Sequence, residues 1–202
     1  MPIVFNESAG TISGISVGGL PDGIVDTDML ANNAVTAAKA TGSAKGITMQ
    51  DSWVITSSYE TNSTADITAN WARHSAASST FFGNIGSAMT ESSGVFTFPS
   101  TGIYLVLAQV VIRAEGGGRT YMGAEQRISS DSGTNYSDAT VAYNSGYQNS
   151  AYTSTQTVAV YNVTNVSTFR WKIRSVFADT SKVFGDATNK LTGVTFTRLG
   201  DT

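Results

Sequence analysis

The 202-residue sequence predicts an all-β fold, a sandwich or jelly roll behind an N-terminal arm that is irregular or short-helical. Three observations predict it. From Thr168 to Phe177, apolar Phe169, Trp171, Ile173 and Phe177 alternate with Arg170, Lys172 and Arg174, the period-two pattern of a half-buried antiparallel strand. The run Ile103 to Arg113 is apolar on both parities until Gln109, as expected for a strand in the middle of a sheet. From about residue 50 onward, turn signals recur and no stretch has helical period.

Residues 1–48 form the arm and 49–202 the head. The arm has no tryptophan and no tyrosine, and is rich in glycine and alanine. Its apolar pairs, Ile24-Val25, Met29-Leu30 and Ala34-Val35, recur every five residues and fit neither strand nor helix cleanly. Asp28 is placed to cap a short helix over Met29 to Thr41. Such a segment buries too little to fold alone, so the arm is expected to be held by neighbouring proteins.

In the head, Trp53 and Ile55 begin the strand pattern, and Phe96 and Phe98 continue it. Val158 and Val160 mark a later strand, and Val194, Phe196 and Arg198 mark the last. Turns are expected at Pro99–Gly102, Glu115–Gly118, Asp131–Gly133 and Gly185-Asp186. Many short strands separated by turns favour a closed two-layer β architecture.

Composition excludes several function classes. There is no cysteine, so disulfides, thiol catalysis and thiolate metal sites are absent together. Charged residues are only 13 % and the net charge is −3, unlike the basic footprint of a nucleic-acid binder. No segment approaches the roughly 20 apolar residues of a membrane span, so no membrane insertion is expected. The N-terminus lacks the basic and apolar regions of a signal peptide. The Asn-x-Ser/Thr sequons at Asn6, Asn62, Asn135, Asn162 and Asn165 then reflect only the abundance of those residues. A hydrated Ser/Thr/Asn/Gly surface without an export signal suits a protein assembled inside a cell into a particle.

No catalytic constellation, metal site or cofactor is expected. The single histidine, His74, is read as a surface or interface residue. No Gly-x-Ser-x-Gly elbow accompanies it. Carboxylates at Glu60, Glu91, Glu115 and Glu125 are scattered, and Gly116–Gly118 lacks the Lys-Ser/Thr of a phosphate loop. One segment has the make-up of a binding face. Across residues 129–155, Tyr136, Tyr143, Tyr147 and Tyr152, with Asn144, are interleaved with serine and glycine. Tyrosine supplies rigid amphipathic contact and small polar residues adapt around it, which suits sugar faces and hydroxyls. The other reading is that these tyrosines pack on strands or between subunits.

The segment Gly94 to Leu105 resembles the "F-x-x-P-x-x-G-x-Y" motif of tumour-necrosis-factor-like and complement globular-head jelly rolls, through Phe96, Pro99, Gly102 and Tyr104. Leu191 to Leu199, with Gly193 and Phe196, resembles that family's closing strand. Asn70-Trp71 and Ile85 to Gly94 resemble the run preceding this motif in phage virion proteins. Asp22 to Lys39 resembles the stalk sequences of phage fibres. The resemblance implies an antiparallel jelly-roll head in a homotrimer, with central-strand residues on the threefold axis; here these are Tyr104, Val106 and Val110. The alternative is that both faces of this strand belong to one thick monomeric core. The family's calcium-binding acidic cluster is not clearly present, so no metal ligand is carried over.

The expected function is therefore a non-enzymatic, structural virion protein. It is a trimeric surface appendage of bacteriophage tail-fibre type, joined through its arm to other virion proteins, whose head contacts a host-surface glycan. The alternatives are a capsid decoration protein and, with less support, a polysaccharide-degrading enzyme.

Overall fold

A computed structural model of the chain describes residues 46–74 and 83–202, together with residues 4–6, 8 and 11–13. The chain divides into two compact units, Met1–Ala44 and Lys45–Thr202. In the first, β1 (Val4–Asn6) pairs antiparallel with β2 (Thr11–Ser13), Phe5 opposite Ile12. The helix expected over Met29 to Thr41, and the arm's proposed attachment, lie outside the described residues.

The second unit is a two-sheet antiparallel sandwich. Its strands are β3 (Met49–Ile55), β4 (Ser57–Thr61), β5 (Ala65–Asp66), β6 (Trp71–Arg73), β7 (Thr90–Ser92), β8 (Val95–Thr97) and β9 (Gly102–Ala114). They continue with β10 (Arg119–Ser129), β11 (Ser137–Gly146), β12 (Tyr152–Val163), β13 (Arg170–Phe177), β14 (Ser181–Asp186) and β15 (Gly193–Gly200). One sheet runs β11-β10-β13-β8-β7, with β5 also on β13. In the other, β9 has β12 along one edge and β14 and β15 along the opposite edge. Beyond these lie β4 on β14, and β3 then β6 on β15. The expected turn at Gly185-Asp186 falls inside β14 instead, and the chain reverses after it.

The core lies between the sheets and is set by strand parity. Tyr104, Val106, Ala108, Val110, Ile112 and Ala114 of β9 point inward, as do Trp171 and Ile173 of β13 and Val194 and Phe196 of β15. Phe96 sits at the centre, with ring centroids 5.2–5.4 Å from Trp53, Trp71, Trp171 and Phe196. Each fully buried ring of this kind contributes about 2–3 kcal/mol over leaving it exposed.

Inside this apolar core lies one amide, Gln126, with every bonding position used. Its Nε2 donates to Val106 O, Thr157 O and Thr157 Oγ1 at 3.0–3.3 Å. Its Oε1 accepts from Tyr161 Oη and Trp171 Nε1, both at 2.9 Å. The group therefore ties β10 to β9, β12 and β13 without leaving a buried polar atom unpaired.

The Phe-Pro-Gly-Tyr motif has a mechanical account. The Tyr104 hydroxyl donates to Ser100 O at 2.9 Å and holds the turn between β8 and β9. Gly102 has φ +148°, and a Cβ there would lie 2.6 Å from Gly200 O, so only glycine lets β9 start beside β15. The hairpin between β7 and β8 turns on Ser93 and Gly94, both at positive φ, as a two-residue turn matched to strand twist requires.

Candidate functional surfaces

Parity corrects the assignment made on the central strand. Tyr104, Val106 and Val110, expected at a subunit contact, have no exposed surface in a single chain and fill its own core. Both faces of the strand read as apolar in sequence, but Gln109 and Arg113 share the odd parity and need a polar surrounding. That face points outward, and it was the available signal.

The outward face of this sheet carries exposed aliphatic side chains in direct register. Val158 of β12 is 54 % exposed and lies opposite Leu107 of β9, itself 36 % exposed. Val160, 59 % exposed, lies opposite Leu105. Thr195 and Thr197 of β15 continue the two rows on the other side. Polar groups border this strip. Gln156 Nε2 donates to Gln109 Oε1 at 2.9 Å. The Lys190 ammonium donates to Ser52 Oγ at 3.2 Å and Thr195 Oγ1 at 2.5 Å. No carboxylate pairs with Lys190 among the described residues, and burial lowers its pKa to about 8.

The outward face of the other sheet is built from charges. Asp66 of β5 receives Lys172 at 2.6 Å, Arg174 at 3.3 Å and Arg127 at 3.5 Å. Arg127 also meets Asp138 at 2.7 Å, and Arg174 meets Glu125 at 3.4 Å. Burial opposes ionisation of Asp66, but the hydrogen bond and charge of Lys172, with Arg174 and Arg127, outweigh it and hold the carboxyl below its usual range. Burial and the neighbouring Asp138 push Glu125 the other way. The alternating Arg170, Lys172 and Arg174 are thus spent locally. Arg170 itself donates to the backbone carbonyls of Val166, Ser167 and Phe169.

The segment expected to form one binding face is divided. Most of it is strand, since residues 137–146 are β11 and β12 begins at Tyr152. Tyr136 sits at the start of β11 under the Lys172 ammonium, 3.7 Å from its ring centroid. Tyr143 lies near the far end of β11, edge-on to exposed Tyr121 of β10 at 5.7 Å. Asn144 is exposed, with its Oδ1 bonded to Ser145 N. Tyr147 follows β11 and is 82 % exposed. Tyr152 lies on the other sheet, where its hydroxyl accepts from Arg113 Nη1 at 3.2 Å and its ring meets Phe184 at 5.1 Å. Ten strand residues separate Tyr136 from Tyr147, about 33 Å at the usual rise, so one small ligand does not span them.

Tyr147 instead borders a shallow depression of about 250 Å³ with Gly118, Arg119, Thr120 and Gly146. Tyr121 and Arg119 were not singled out in sequence. Tyr121 sits among residues with no clear alternation, and a lone arginine after a glycine run carries no signal.

His74, read as a surface or interface residue, is buried within the single chain, with Nε2 3.2 Å from Thr188 O. Beside it, Asp51 is fully buried and accepts from Arg73 Nε, Trp53 Nε1 and Met89 N at 2.8–2.9 Å. These contacts fix β6 and the segment before β7 against β3. Glu91 and Glu115 have structural partners too. Glu91 accepts from Gly94 N across the hairpin, and Glu115 pairs with Arg113.

No protein-family model matches the chain, and no curated protein matches it. Solved structures do. Murine APRIL is similar with a TM-score of 0.53 at 13 % identity, over 74 % of this chain and 98 % of that one. Eiger TNF from S. frugiperda is similar with a TM-score of 0.57 at 12 % identity, over 76 % and 94 %. At these identities the likeness establishes the fold, and the described head is a tumour-necrosis-factor-like β-sandwich jelly roll.

Proposed function

We propose that the chain is a structural or binding protein that works as a homotrimer on the surface of a phage particle. Its arm joins other virion proteins and its head faces outward, where it contacts a host-surface glycan. The observation that carries the trimer is the strip Leu107, Val158 and Val160, exposed aliphatic residues on adjacent strands, with Val158 opposite Leu107 and Val160 opposite Leu105. Monomeric proteins rarely expose large contiguous apolar patches, and such patches mark association. The virion setting rests on the sequence resemblance of the arm and of the residues before the Phe-Pro-Gly-Tyr motif.

Sedimentation equilibrium of the full chain at micromolar concentration tests the trimer. Three chain masses are expected for the natural sequence and one for Val160→Asp. A monomer at both would overturn the reading. Copy number in purified particles separates an appendage, at a few to tens, from a capsid decoration protein, at hundreds.

A further inference from the structure

Arg119 is a buried cation whose charge no acid neutralises. It is 8 % exposed, and no carboxylate pairs with it among the described residues. Its guanidinium is held by backbone carbonyls alone. Nε and Nη2 donate to Thr180 O at 3.1 and 2.8 Å, Nη2 also to Glu115 O, and Nη1 to Gly118 O at 3.0 Å. Four of the five N–H groups are thereby used. The fifth, on Nη1, has no partner among the described residues.

Withdrawing a guanidinium from water is costly unless charge or hydrogen bonds replace the hydration, and carbonyl dipoles replace only part of it. In an acidic protein with 15 carboxylates against 12 basic side chains, a structural brace had acids available. The surroundings of Arg119 instead stay open. It lines the depression with exposed Thr120, Gly118, Gly146 and Tyr147. A Cβ on Gly117 would stand 3.5 Å from Nη1, so glycine there leaves that nitrogen uncovered. A Cβ on Gly118 would lie 2.8 Å from Tyr147 O, so the segment carrying Tyr147 packs closely on the residue that precedes the arginine.

We propose that this depression binds the carboxylate of an acidic sugar, with Arg119 as its charge partner and the Tyr147 ring against the sugar face. Charge-assisted donation from arginine to a carboxylate is among the stronger polar contacts. Tyrosine offers the apolar face and polar edge that pyranose rings pack on. The inference rests on the glycan-contact reading above and narrows it to acidic saccharides at this one end of the head.

The test is saturation-transfer NMR on the full chain with millimolar 3′-sialyllactose and digalacturonate, each against a neutral counterpart, lactose or galactobiose. The acidic members should bind at least ten-fold more tightly. Arg119→Met is a poor probe, because it also removes the brace on the loops around Glu115 and Thr180. Thr120→Glu keeps the brace and places a negative charge at the rim. It should reduce acidic-sugar binding at least ten-fold with an unchanged melting temperature, and Tyr147→Ala should weaken it similarly. Equal binding of acidic and neutral sugars, or binding indifferent to Thr120→Glu, would overturn the inference while leaving glycan contact in place. Silence toward all four sugars would remove both. The trimer is measured separately by its mass.

Discussion

The two outward faces of the head differ in what they lack. On the β11-β10-β13 side, three cations and three carboxylates are interlocked around Asp66, so the face is electrostatically complete within one chain. On the β12-β9-β15 side, Leu107, Val158 and Val160 stand in water and Lys190 is desolvated with no acid partner among the described residues. The same sandwich thus presents one surface that solvent satisfies and one that it does not. The second surface is the one that the proposed subunit contact would cover.

Substitutions sharpen that contrast. The largest effect belongs to the shared interior. Val106→Asp buries an unpaired charge beside Phe196 and should cost about 4 kcal/mol or more, read as loss of cooperative unfolding by circular dichroism. Val160→Asp, next along β12 to Ala159, the residue paired with Val106, but facing out, should leave folding stability within about 0.5 kcal/mol while abolishing the three-chain mass. If Val160→Asp unfolds the protein instead, the outward strip is part of the fold and not a contact.

On the charged face, Asp66→Asn should cost about 1–2 kcal/mol at pH 7 by urea titration. The native carboxyl titrates below its unfolded value, so its stabilisation is present above the unfolded pKa and is lost as pH falls through the folded one. The gap between natural protein and variant should therefore shrink below about pH 4. A gap that persists undiminished at pH 2 would mean that shape, not charge, holds this network.

Lys190→Met should have the smallest effect and the opposite sign. With a folded pKa of about 8 against an unfolded value near 10.4, the ammonium destabilises below pH 8, and that cost is relieved as pH rises between the two values. The variant should gain on the order of 1 kcal/mol at pH 7 and lack the alkaline rise expected of the natural protein. If an acid from a second copy reaches Lys190 across the subunit contact, the variant trimer will instead be less stable than the natural one.

Much of the fold was legible because particular residues broke symmetry. In β13 the Trp171/Lys172 alternation permits only one inward face, and in the Pro99–Tyr104 turn Gly102 allows a close backbone approach while the Tyr104 hydroxyl bonds the Ser100 carbonyl. The sandwich was harder to read in β10 and β11. There Ala124, Gly123, Ala142 and Ser145 give a strand with little hydrophobic contrast, held by its register with β13 rather than by its own pattern. The candidate site suffered for the same reason. Tyrosine spacing along residues 136–152 was visible, but pleat and hairpin decide which rings meet, and they pair Tyr143 with Tyr121, a residue outside the segment. Buried Gln126 and Asp51 were invisible because a polar residue earns its place inside only through partners that are distant in sequence.

The placement of β15 has a consequence for how the protein is made. It lies between β9 and β3, with Phe196 opposite both Val106 and Asp51, partners about 90 and 145 residues earlier. During synthesis the edges of β9 and β3 therefore wait, unpaired, until residue 200 has left the ribosome. Closure of long-range antiparallel pairs is slow, and exposed strand edges invite misassociation in the interval. Nascent chains of this protein, several on one message, spend that interval near one another with the same edges open. The conditions that make partial chains hazardous also place the copies needed for the proposed trimer side by side.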